Sequence, residues 1–187
     1  MKKNFFLTLF LLIFFVLALF PQEKKDAASS HFEQPLLITS AGQSAEVRLA
    51  SVLAKRGELD FILSKTATAK DLDNIKTLAL VLGVSLKGLG AAGLDLAKEK
   101  ERVSRLVEEA QNKNIPLLCL HLGGEARRGQ LSDELISAFL PKAKMVIVVK
   151  SGNKDKFFTR ICEEHKITLV EVEKTVDALV PLKEAFK

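Results

Sequence analysis

The sequence predicts an α/β fold: a doubly wound, Rossmann- or flavodoxin-like, mostly parallel sheet of about six strands in a three-layer α/β/α sandwich. Three observations lead there. Short apolar runs without alternation recur along the chain, the clearest being Ile115–Leu122 and Met145–Val149, and such runs suit strands buried on both faces. Segments with helical spacing of apolar residues separate these runs. Nine of the ten glycines, all except Gly57, fall in stretches that follow a predicted strand, where tight βα turns are needed.

The chain opens with a segment of another kind. Lys2 and Lys3 precede an apolar run, Phe5–Phe20, broken only by Thr8. That is the layout of a secretory signal, and its sixteen residues fall short of the ~20 that usually span a bilayer. Bulky Leu17, Leu19 and Phe20 make a poor cleavage site, so retention as an N-terminal anchor is the alternative. Export to the periplasm or another extracytoplasmic space is expected on either reading. Residues 21–34, polar and without periodicity, are expected to form a tether, and residues 35–187 a single domain.

Within that domain, Leu36–Thr39 reads as the first strand. Ser44 is the expected N-cap of a helix running to Arg56, with Gly57 beyond its end. Leu59–Leu63 is the second strand, followed by a short helical segment over residues 69–75. Thr77–Leu82 is the third, opening into a glycine-rich loop, Gly83–Gly93. A long helix over Leu94–Lys113 keeps Leu96, Val103, Leu106, Val107 and Ala110 on one face. After the fourth strand, Ile115–Leu122, Ser132 is the expected cap of a helix ending at Pro141. Met145–Val149 leads to a helix with Phe157, Phe158, Ile161 and Cys162 on one side. Ile167–Val172 is the sixth strand, and Thr175 is expected to cap a last helix that Pro181 kinks or divides.

Composition narrows the function classes. Without the leader, 26 basic and 23 acidic side chains remain, too mild an excess for a nucleic-acid binder. Trp and Tyr are absent, which weakens sugar-stacking and single-strand-binding readings. Two cysteines, Cys119 and Cys162, do not make a disulfide framework; buried thiols are the plainer reading, though an oxidising compartment would allow them to pair.

In an open α/β sheet, ligands bind at the carboxyl edge near a reversal of strand order. The loops expected there carry Ser40, Gly42, Gln43, Ser44, Lys65, Lys87, Gly88, Gly90, Gly93, Gly123, Gly124, Arg127, Arg128, Asn153 and Lys154. Glycine backbones and helix N-termini supply N–H donors, and arginine supplies a fork for carboxylate or phosphate. A small anionic ligand is therefore expected. Against this stands the plainer alternative that the glycines make turns and the cations are solvated.

Specific chemical signatures are weak. Gly88, Gly90 and Gly93 match G-x-G-x-x-G literally, but follow the third strand, and no acidic residue closes the next one, so no dinucleotide is implied. No P-loop, metal-ligand spacing or G-x-S-x-G elbow occurs; no metal and no cofactor is required by the sequence. His121, Glu125 and a serine such as Ser40 or Ser44 are the candidates for a hydrolase or transferase, with a structural role for His121 as the alternative. A third reading is a domain that binds an envelope partner protein.

Taken together, Thr39–Ser44 (TSAGQS), Lys87–Gly93 (KGLGAAG), His121–Gly129 (HLGGEARRG) with Ser132 and Asp133, and Gly152–Asp155 (GNKD) resemble a family of exported bacterial α/β proteins known as domain of unknown function 6305. The resemblance covers about Pro35–Phe186. It implies a shared loop surface and carries no activity, substrate or catalytic residue.

Overall fold

A computed structural model describes residues 32–187. The leader, and the tether as far as His31, lie outside the described residues. Six strands form one all-parallel sheet: β1 (Leu36–Ala41), β2 (Phe61–Leu63), β3 (Thr77–Leu82), β4 (Leu117–His121), β5 (Met145–Val149) and β6 (Thr168–Val172). Their order is β2-β1-β3-β4-β5-β6. The order reverses between β1 and β3, the flavodoxin-like arrangement.

Side chains alternate along each strand and so feed two cores. Leu37, Leu78, Leu80, Cys119, Val146 and Val148 face three helices, α3 (Leu96–Asn112), α4 (Gln130–Phe139) and α5 (Phe157–His165). Leu36, Ile38, Val81, Leu118, Leu120 and Ile147 face α1 (Glu46–Arg56) and α6 (Leu179–Glu184). Burial on both faces explains why these strands read as unbroken apolar runs. The short edge strand β2 departs from the pattern, with Ile62 and Leu63 exposed.

Several local expectations are corrected. The glycine-rich segment contains a further helix, α2 (Leu86–Ala91), capped by the Ser85 hydroxyl, which accepts from the Gly88 N–H. Helix α1 starts from Ala45 rather than Ser44, and Gly57 keeps a right-handed conformation while Glu58 takes the left-handed one. Ser132 lies inside α4, whose N-cap is Gly129, and its hydroxyl instead accepts from the Val84 N–H at 3.0 Å. Thr175 begins a 3-10 turn and donates its hydroxyl to the Leu122 carbonyl at 2.9 Å. Residues 32–34 belong to the fold and not to a tether: the Phe32 side chain is buried, and its N–H donates to the Ala185 carbonyl at 2.7 Å.

Candidate functional site

The carboxyl ends of β1 and β3 meet at the reversal of strand order, where the loops are stitched together. The Gly83 N–H donates to the Ala41 carbonyl at 3.1 Å, and the Ser85 N–H to the Gly42 carbonyl at 2.8 Å. Gly42 adopts φ +110°, and a Cβ there would lie 2.4 Å from the Gly83 carbonyl oxygen, so only glycine permits this approach. The Gly42 N–H and the Gln43 side-chain amide both donate to Glu99 Oε1, at 2.8 and 3.1 Å. Glu99 is fully buried in the first turn of α3 and pairs with Arg102, which also donates to the Ser40 and Ala67 carbonyls. The crevice at this switch is therefore filled by an internal ion pair.

The loops after β4 and β5 form the next part of the rim. His121 is buried, with Nδ1 3.1 Å from the Leu82 carbonyl oxygen and Nε2 3.0 Å from that of Gly124. Burial lowers its pKa from the usual value; the Gly124 and Leu82 carbonyls oppose the shift, and the nearby Arg128 charge adds to it. Arg127 Nε donates to both oxygens of Glu46, at 3.0 and 2.9 Å. Burial acts to raise the Glu46 pKa, but its hydrogen bonds, led by that to Arg127, hold it below the usual value.

Arg128 spends all five of its N–H donors within the protein. Asp133 takes two, Asp155 takes two, and the Gly152 carbonyl takes the fifth. Its guanidinium also lies 4.5 Å from the Phe157 ring centroid. The hydrogen bond to Arg128 holds the Asp155 carboxyl down to about 2. Asn153 is occupied as well: its amide donates to Thr159 and Glu171, and its oxygen accepts from the Phe158 N–H at the start of α5.

A groove of about 440 Å³ opens beside the β1–β3 switch, between the loop after β2 and the first half of α3. Thr68, Ala69, Lys70, Lys98, Glu101, Arg102 and Arg105 line it. Four cations thus face one carboxylate. Arg102 is neutralised by Glu99, and Arg105 bonds Glu101. Lys98 has only a distant, exposed contact with Asp95 at 3.8 Å, worth little in water. Lys70 makes no ion pair among the described residues.

The expected site residues are thus gathered along one edge, in different roles. Ser40, Gly42, Gln43, Gly88, Gly123, Gly124, Arg127, Arg128 and Asn153 are consumed in joining neighbouring loops. Lys87, Gly90 and Gly93 sit exposed on or just after α2, where the glycine motif is helical rather than a strand-to-helix turn. The expected candidates form no nucleophile–base pair among the described residues: Ser40 Oγ and Ser44 Oγ are buried without a hydrogen-bond partner there, and Glu125 Oε2 takes the Lys154 ammonium at 2.6 Å. The expected pairing of His121 with Glu125 or a serine is absent: each ring nitrogen lies against a backbone carbonyl, to one of which the neutral ring donates. No group of three or more metal-ligating side chains occurs among the described residues. Lys70, Lys98 and Arg105 were not singled out from the sequence, where they look like solvated charges.

The family described as "Domain of unknown function (DUF6305)" matches residues 33–186. No curated protein matches the chain. Solved structures that resemble it include a protein described as lipolytic, of the G-D-S-L family, from Desulfitobacterium hafniense (14% identity, TM-score 0.34, 73% of this chain and 75% of that one). A GDSL-like lipase from Bacteroides thetaiotaomicron is 10% identical over 73% of this chain and 66% of its own, with a TM-score of 0.34. AlinE4, an esterase of the SGNH-hydrolase family, is 14% identical over 77% of each chain, with a TM-score of 0.31.

Proposed function

This chain belongs to the DUF6305 family, and from its own geometry we propose that it is an exported binding module holding a small anionic ligand in the groove beside the β1–β3 switch. One observation carries the reading: the groove places two cations without a close carboxylate, Lys70 and Lys98, beside Arg102 and Arg105, whose own charges Glu99 and Glu101 balance, so the two lysines give the groove its positive excess. Its position next to the reversal of strand order is where sheets of this order bind ligands. The two rim arginines, Arg127 and Arg128, are tied up in internal bonds, and the lysines that line the groove come from the loop after β2 and from α3. A groove open to solvent suits reversible capture of a phosphate ester or a carboxylate. Export is part of the proposal and rests on Lys2, Lys3 and the apolar run Phe5–Phe20.

The test is thermal stabilisation of the full chain by a panel of phosphate esters and carboxylates. At a hundredfold excess over its Kd, a ligand stabilises by about 2.7 kcal/mol, which raises Tm by roughly 5–10 °C in a domain of this size. Lys70→Glu with Lys98→Glu should abolish the rise while leaving the unliganded Tm within about 2 °C, since both side chains are exposed. The proposal fails if no panel member shifts Tm, or if the double variant responds like the parent.

A further inference from the structure

We infer that the amino edge of the sheet, opposite the ligand groove, carries a docking site for anionic lipid headgroups. A hollow of about 440 Å³ lies there, lined by Glu33, Ile75, Lys76, Lys113, Asn114, Ile115, Pro116 and Lys144. Three lysines face one lining carboxylate. Lys113 is answered by Asp73 at 3.0 Å and Glu109 at 3.7 Å. Lys76 and Lys144 have no carboxylate partner among the described residues; the Lys144 ammonium lies 5.7 Å from the Phe32 ring centroid. Lys142 and Lys166 are exposed in the adjoining loops, and the Thr168 N–H donates to the Lys144 carbonyl, which holds the Lys166 loop beside it.

The path of the chain identifies the occupant. Polypeptide from the N-terminal side joins the fold at the mouth of this hollow and is pinned there. The Phe32 N–H bonds Ala185, the Thr77 hydroxyl donates to the Glu33 carbonyl at 2.7 Å, and the Asp60 N–H donates to the Gln34 side chain at 2.6 Å. Only residues 21–31 separate Phe32 from the apolar run Phe5–Phe20. Fully extended, that stretch reaches about 40 Å. If the apolar run stays in the membrane, the amino edge is the side of the domain tethered next to the bilayer. Lysines within a Debye length of an anionic surface are each worth about fivefold in binding. The groove would then face away from the lipid. This inference rests on retention of the leader and is independent of what the groove binds.

The full chain is reconstituted in vesicles of phosphatidylcholine, alone or with phosphatidylglycerol. A fluorophore is placed at Asn112→Cys on the amino edge or at Gln130→Cys on the carboxyl edge, the native cysteines being buried. Nitroxide-labelled headgroups should quench the Asn112 label in the anionic vesicles, more weakly in neutral ones and at high salt, and should spare the Gln130 label. Lys76→Gln with Lys144→Gln should lower the equilibrium constant between docked and undocked chain by about thirtyfold, with an unchanged circular dichroism melt. Equal quenching of both labels, quenching indifferent to phosphatidylglycerol or to the lysine changes, or a chain released from the vesicles would each overturn the inference. None of those results bears on Tm shifts by groove ligands, so the two proposals fail separately.

Discussion

Glu99 and Arg102, one helical turn apart on α3, close the switch between β1 and β3 from inside: Arg102 Nε donates to Glu99 Oε2 at 2.9 Å, and the carboxylate has no exposed surface. The pair does more than neutralise itself. Its remaining atoms accept from Gly42 and Gln43 and donate to the Ser40 and Ala67 carbonyls, so the end of β1 with its loop and the loop after β2 converge on it. Polar groups that would otherwise line a crevice are satisfied by the protein, and the open groove lies just outside them.

Removing one member of a buried pair strands the other. Glu99→Ala should cost about 3–5 kcal/mol, because Arg102 would keep its charge in a nearly closed site. Replacing both residues with apolar ones of similar volume should cost less than the single change. Urea unfolding of the three proteins measures this; a loss under about 1 kcal/mol for Glu99→Ala would mean the pair does not hold the switch together.

The strands were legible because burial on both faces leaves a direct trace, an unbroken apolar run, as in Met145–Val149. Strand order left none, since pairing between distant segments is not written locally. Helix α2 was hidden by Gly88 and Gly90, which lower helix propensity but do not forbid a helix capped by Ser85. The site was half legible. The rim residues do share one edge, yet Arg127 and Arg128 are bound by Glu46 and Asp155, 81 and 27 positions away, partners that no local pattern reveals. Lys70 and Lys98 gave no signal, because a lysine in a groove and one in bulk water occupy the same kind of polar sequence.

His121 makes stability depend on pH. Burial lowers its pKa in the fold, so between the folded value and the unfolded ~6.5 the unfolded chain binds the proton more readily. Its contribution is complete above about 6.5 and is lost as pH falls through the lowered value. Tm should therefore decline from pH 7 towards 5. His121→Asn should flatten that part of the profile, and an equal slope in both proteins would assign it to other groups.

Arg128 joins the loops after β4 and β5, and its role is structural on this geometry. Arg128→Ala should destabilise by about 2–3 kcal/mol, since two carboxylates and the Gly152 carbonyl lose charged donors. Arg128→Lys should recover less than half, because an ammonium cannot reproduce the fork that serves Asp133 and Asp155 together. Neither change should alter a Tm shift produced by a groove ligand, which is read by titrating that ligand into each variant.

The glycines of the G-x-G-x-x-G sequence separate by what surrounds them. A Cβ at Gly88 would lie 2.0 Å from the Gln43 carbonyl oxygen, a backbone atom that cannot move without parting α2 from the loop after β1. A Cβ at Gly90 meets nothing within 4 Å, and the position is helical and exposed. Gly88→Ala should therefore destabilise by about 2 kcal/mol or more through overpacking. Gly90→Ala should stabilise by about 0.5–1 kcal/mol, through the lower backbone entropy of the unfolded chain and the better helix propensity of alanine. A phosphate-cradling loop would need both backbones bare. Thermal melts of the two variants decide between these accounts: opposite signs identify a packed helix, whereas equal losses at both positions would mean that Gly90 is held against something this arrangement leaves open.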